Sequence, residues 1–130
     1  MLTSLLLYSN FGLLLIRLAL GAIFIIHGYP KLFKTHGQFA GYLKTLRVPA
    51  PKFMALVVAL VEFFGGIAVI VGFLTQWAAL GIAVDMLVAS VLVRRKFVGG
   101  WEFDFMLFAT ALALLLIGAG SLSVDAILVR

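Results

Sequence analysis

The chain has 130 residues, of which 65% are hydrophobic and only 12% charged, and its mean hydropathy is +1.23. Soluble domains have about half their residues apolar and about a quarter charged, so this composition points to an integral membrane protein, and the absence of cysteine excludes disulfides, CxxC redox chemistry, thiolate metal sites and thiol nucleophiles. The net charge of +5 does not mark a nucleic-acid partner, because the basic residues gather in two connecting segments, where they orient a membrane protein in its bilayer.

Four apolar segments follow one another, at about residues 9–29, 52–73, 76–93 and 103–119. Each is long enough to cross about 30 Å of hydrocarbon as a helix, and helices satisfy their own backbone groups where no water is present. The expected fold class is therefore all-α, a four-helix transmembrane bundle, forming a single domain over residues 1–130. The opening Met1-Leu2-Thr3-Ser4 has no basic stretch, and no small-x-small site closes the first apolar run, so the first span is expected to be retained.

The connections differ in kind. Between the first two spans, Phe39, Tyr42, Leu43 and Leu46 fall at helical spacing, which predicts a short amphipathic helix over 38–46 lying in the membrane interface. Val48-Pro49-Ala50-Pro51 then ends it and turns the chain back. The second connection, Gly72-Phe73-Leu74-Thr75-Gln76, is minimal and predicts an antiparallel hairpin of spans two and three. The third begins Arg94-Arg95-Lys96 and ends at Trp101. The first and third connections share one side and carry Lys31, Lys34, Lys44, Arg47, Lys52, Arg94, Arg95 and Lys96, whereas the other side has only Arg130. The positive-inside rule places those connections in the cytoplasm and both termini outside, in a prokaryotic cytoplasmic (inner) membrane. Trp77, Trp101, Tyr29 and Tyr42 lie near span ends, as interface anchors do.

Three spans carry an ionisable residue well inside: Arg17, Glu62 and Asp85. At helical rise they lie about 20, 16 and 13 Å from the cytoplasmic edges. A lone charge near the bilayer centre costs at least about 2.5 kcal/mol, so three of mixed sign at similar depth are expected to meet. Small residues accompany each one on its helical face: Gly21 and Gly28 with Arg17, Ala55, Ala59 and Gly66 with Glu62, Ala78, Gly81 and Ala89 with Asp85. Three readings stay open: a buried ionic lock fixing helix register, a ligand, proton or quinone site, or snorkelling to lipid. The carboxylate in excess over Arg17 makes Glu62 and Asp85 the place to look for function. A second cluster at the cytoplasmic mouth is expected from His27, Lys31, Glu102 and Asp104, although carboxylates in a first helical turn also suit the helix dipole. No metal site is expected, since His27 and His36 lack i, i+4 spacing.

Arg17, Gly21, Phe24, His27-Gly28 and Lys31-Leu32 resemble the first-helix pattern of the DoxX family, R-x3-G-x2-F-x2-H-G-x2-K-L. Val48-Pro49-Ala50-Pro51, Glu62-Phe63-Phe64-Gly65-Gly66 and Gly72-Phe73-Leu74-Thr75 are similar to its loop and second helix. The stretch from Gly118 to Asp125 resembles its closing G-x-G-x-x-S-L-D, with Val124 where leucine is usual and Ser121 at an often basic position. The resemblance implies a small four-helix membrane protein related to a subunit of a thiosulfate:quinone oxidoreductase and associated with oxidative-stress or sulfur-redox systems. It implies a membrane subunit of a quinone-linked redox complex, with quinone as a non-covalent cofactor and a redox partner protein supplying electrons. The alternative is a non-redox small-solute or lipid carrier, or an assembly factor. Four spans bury few faces, so a homo-oligomer is expected as well.

Overall fold

The computed structural model describes residue 5, residues 8–93 and residues 101–129. Met1 to Ser4, Leu6, Leu7, the basic connection 94–100 and Arg130, with the side chains of Leu92, Val93 and Trp101, lie outside the described residues. Among the described residues the chain is all-helical and has no strand. Its helices are α1 (Ser9–Phe33), α2 (His36–Thr45), α3 (Pro51–Val71), α4 (Thr75–Val93), α5 (Trp101–Ile117) and α6 (Val124–Val129). Of these, α1 and α3 are long and apolar enough to cross a membrane.

The closest helix pair is α1 with α3. A Cβ on Gly21 would fall 2.6 Å from the Gly66 carbonyl oxygen, and one on Gly66 would fall 2.7 Å from that of Gly21. The two backbones therefore touch, and only glycine fits at the crossing. Further along, a Cβ on Gly28 would fall 2.5 Å from the Phe63 nitrogen. As the number rises on α1 it falls on α3, so the pair is antiparallel. Next, α4 packs against α3 and α5 against α4, and α1 meets α5 only lightly. Leu20, Phe24, Val69, Ile82, Met86, Leu107 and Leu114 fill the core between these four helices.

Helix α1 runs past the expected end at Tyr29. Pro30 lacks an N–H, but its carbonyl accepts from Lys34 at 2.8 Å and from Thr35 at 2.7 Å, so the helix closes one turn beyond the proline. That extra turn keeps Lys31 on the helical face of Gly28, toward α3. The amphipathic helix is present as α2, but it is not merely laid on an interface: Ala40 and Leu43 are buried with Ala55 of α3.

At the opposite end the chain closes on itself. Gly118 and Gly120 take positive φ (88° and 85°) to end α5 and turn the tail. Ser123 then caps α6, its Oγ accepting from the Ala126 N–H at 3.2 Å. Asp125 caps a different helix: its carboxylate accepts from the N–H groups of Leu74 and Thr75 at 2.7 and 2.9 Å, at the start of α4. The Asp125 N–H donates to the Gly72 carbonyl at 2.7 Å. Short as it is, α6 is thus pinned to the α3–α4 turn.

Candidate functional site

A cavity of about 430 Å³ opens in the half of the molecule where α1 ends and α3 begins. Phe24, Val58, Met86 and Leu107 give it apolar walls, and Phe39, Tyr42, Leu43 and Leu46 of α2 close one side. Into it project His27 and Lys31 from α1, Glu62 from α3, Asp85 from α4 and Asp104 from α5. A mostly apolar pocket with a few convergent polar groups is the usual form of a small-molecule site.

The centre of the polar wall is an ion pair, Lys31 Nζ to Glu62 Oε1 at 2.9 Å. Glu62 is only 5% exposed, whereas Lys31 stays half-buried and lays its ammonium over the Phe39 ring, 4.7 Å from the centroid. Asp85 stands beside Glu62, carboxyl against carboxyl. Glu62 Oε2 is buried and has no hydrogen-bond partner among the described residues. Lys31 serves Glu62 Oε1 only, so the Oε2 side of this carboxyl pair is left without a donor among the described residues. A proton on one, or a hydroxyl from a ligand, would supply the missing donor. The His27 ring meets the edge of Phe103 at 6.1 Å, and Asp104 is buried in the same wall.

The structure brings Glu62 and Asp85 together as the sequence suggests, but Arg17 is not with them. Lys31 lies fourteen positions after Arg17 on α1, about 21 Å at helical rise. The Arg17 guanidinium, 1% exposed, instead donates to four main-chain carbonyls. It reaches Val69 at 2.9 Å and Ile70 at 2.8 Å in the last turn of α3, and Ala119 at 3.1 Å and Leu122 at 2.7 Å after α5. Helix C-termini have carbonyls without intrahelical partners and the negative end of the dipole, so they serve a cation as well as carboxylates do. The three-charge constellation is therefore corrected to two separate sites: an Arg17 clamp at one end and a Lys31–Glu62–Asp85 group at the other. The mouth cluster is also redrawn. Lys31 belongs with Glu62, His27 and Asp104 line the same cavity, and Glu102 is exposed and does not line it. The missed contribution is that of α2, whose periodic Phe39, Tyr42, Leu43 and Leu46 were legible as a face but not as a cavity wall. No group of three or more His, Cys, Asp or Glu among the described residues is arranged to hold a metal.

The DoxX family model matches residues 12–95, which contain every polar residue of the cavity except Asp104. The chain is 36% identical to "Putative oxidoreductase CatD" of Bacillus subtilis over 118 residues, 88% of this chain and 84% of that protein. It is 34% identical to "Inner membrane protein YqjF" of Escherichia coli over 92% of this chain and 94% of that protein. A shorter match, 32% identical over 62% of this chain and 50% of the other, is to "Uncharacterized membrane protein Rv3486" of Mycobacterium tuberculosis. No solved structure matches the chain. With most of α1 and all of α3 and α4 inside the family match and a relative aligned along nearly its whole length, the chain belongs to the DoxX family of membrane proteins.

Proposed function

We propose that the protein is a membrane subunit of a quinone-linked redox system, with the cavity between α1, α2, α3, α4 and α5 as the headgroup site. One observation carries this reading: the cavity joins apolar walls to a polar end that holds both donors and an unpartnered acceptor, Glu62 Oε2. A quinone supplies two-electron, two-proton chemistry when bound. The residues present fit its headgroup. Lys31 and His27 carry N–H groups suited to carbonyl oxygens, while Glu62 and Asp85 accept from hydroxyls and hold the proton that passes between them. Phe24, Met86 and Leu107 exclude water, and α2 closes the mouth. The chain has no cysteine to serve as a thiol redox centre, and in this reading a separate redox partner protein supplies the electrons. The description of the Bacillus subtilis relative CatD as an oxidoreductase supports the same direction.

In this arrangement α1, α3, α4 and α5 each cross the bilayer, with the α2 end in the cytoplasm. Exposed Val84, Leu87 and Val91 on α4 and Met106, Leu116 and Ile117 on α5 support the two shorter spans, since such surfaces suit lipid. The test uses protein purified in phosphatidylcholine nanodiscs. Extraction should recover quinone at a stoichiometric level, and Glu62→Gln, Asp85→Asn and Lys31→Met should each lower affinity for a short-chain ubiquinone analogue by tenfold or more. Absence of quinone, with no binding of the analogue to the wild-type protein, would overturn the redox reading in favour of a non-redox carrier.

A further inference from the structure

A second concavity of about 280 Å³ lies on the outer side of the cavity, in the seam between α1 and α5. Its lining includes Ile16, Ala19, Leu20 and Ile23 from α1 and Met106 and Thr110 from α5. The only polar group among these, the Thr110 hydroxyl, already donates to the Met106 carbonyl at 2.7 Å. The groove's named lining therefore offers a ligand no free side-chain donor, and its surface is otherwise apolar, which suits an apolar occupant. Phe103 and Leu107 line both the groove and the cavity, so the two volumes share one wall. The seam is also where the four long helices pack most loosely: α1 and α5 touch far less than α1 and α3, or α4 and α5.

The order of lining along the helices matters as much as the groove itself. From Lys31 back to Ile16 on α1, about 22 Å at helical rise, the lining passes from charged to wholly apolar. On α5 the two volumes are divided by face: Asp104 lines the cavity, Met106 and Thr110 the groove, and Phe103 and Leu107 border both. Head and tail of an amphiphile would meet matching surfaces in the right sequence, with the tail running toward the bilayer interior. We infer that the α1–α5 seam is the tail site of a membrane-dissolved amphiphile whose head occupies the Lys31–Glu62–Asp85 cavity, and that Phe103 is the partition the ligand passes on entering sideways from the lipid. The inference rests on the reading of the cavity as a ligand site with α1 and α5 in the bilayer, and it deepens that reading by naming the ligand class as one with a linear apolar chain.

Two photoreactive probes test it in phosphatidylcholine nanodiscs. Both carry a diazirine at the end of an alkyl chain; one has a ubiquinone head and the other is a fatty-acyl phosphatidylcholine. Adducts are mapped by mass spectrometry. Saturable labelling of Ile16, Ile23 or Met106 is expected, competed by the same amphiphile without the diazirine. It should fall at least fivefold in Ala19→Phe, which fills the groove. Thr110→Leu serves if that variant fails to assemble. Groove labelling by the ubiquinone probe supports both readings. Saturable groove labelling by the phosphatidylcholine probe alone keeps the tail site and removes the quinone. Labelling spread over the lipid-facing sides of α3 and α4, unsaturable and unchanged in the groove variants, would overturn the inference whichever head is bound.

Discussion

Lys31 and Glu62 illustrate how much of this site depends on one turn of helix. Glu62 is buried and its charge is answered by a lysine one residue past a proline. Removing the lysine alone leaves a buried carboxylate without a cation, which costs up to about 3 kcal/mol, whereas removing both charges restores most of the loss. Lys31→Met should therefore lower thermal stability in detergent markedly, and the double variant with Glu62→Gln should lie nearer the wild type than either effect added would predict. Calorimetry or a scattering-based melt on the four proteins of the cycle measures this. Asp125 gives the pH-dependent counterpart outside the spans. Burial alone would raise its carboxyl, but hydrogen bonds from Thr75 and Leu74, together with the Arg17 charge, outweigh that and hold it below the usual carboxylate range. A carboxyl depressed in the folded state adds stability above its unfolded pKa and loses it as pH falls through the folded value. The stability gap between wild type and Asp125→Asn should be full near neutrality and shrink as pH falls below about 4, the ordinary Asp value. A melt series across that range checks it. Glu62 and Asp85 were recognisable from sequence as intramembrane carboxylates. The partners of Arg17 were not, because main-chain carbonyls carry no residue signature.

Among the elements, the crossing of α1 and α3 is the most demanding contact. The small-residue stripes of these helices were legible, since glycines recur beside each polar residue, and the structure joins Gly21 to Gly66 with no room for a methyl group. Gly21→Ala should separate the pair or prevent assembly, because the new Cβ meets the Gly66 carbonyl oxygen at 2.6 Å as well as the Ile70 side chain, and the backbone oxygen cannot swing aside. Gly12→Ala on the same helix meets nothing within 4 Å and should be silent. Size-exclusion profiles and expression of folded protein distinguish the two. Where sequence reading stopped short, the reasons were local. Proline is a common helix terminator, yet α1 runs on to Phe33: Pro30 gives up one intrahelical donor, while its own carbonyl is used twice, by the Lys34 and Thr35 N–H groups. Helix α6, six residues long, has too few turns for a periodic signal, and what holds it is a capping bond to a turn fifty residues away in sequence.

For the whole molecule, the natural absence of cysteine supplies a clean background for topology. Gly37 on α2 and Ser121 after α5 are exposed and stand at opposite ends of the bundle. In the four-span arrangement, Gly37→Cys and Ser121→Cys should react with a membrane-impermeant maleimide from opposite faces, Ser121→Cys in intact cells and Gly37→Cys only after lysis. Labelling of both from one face would exclude that arrangement. Composition and the apolar runs were enough to anticipate an all-helical membrane chain. They could not anticipate that the cavity lies at one end and the Arg17 clamp at the other, because that division follows from which helix ends face which side chains.

The Arg17 clamp also sets an order of assembly. The guanidinium enters with the first long helix, yet two of its four acceptors, the carbonyls of Ala119 and Leu122, belong to residues made more than a hundred positions later. While the chain is being synthesised, the first hairpin can satisfy this cation only by half, at Val69 and Ile70. The arginine's full coordination therefore waits for the final turn, and the closing of that turn is what locks the first helix to the last.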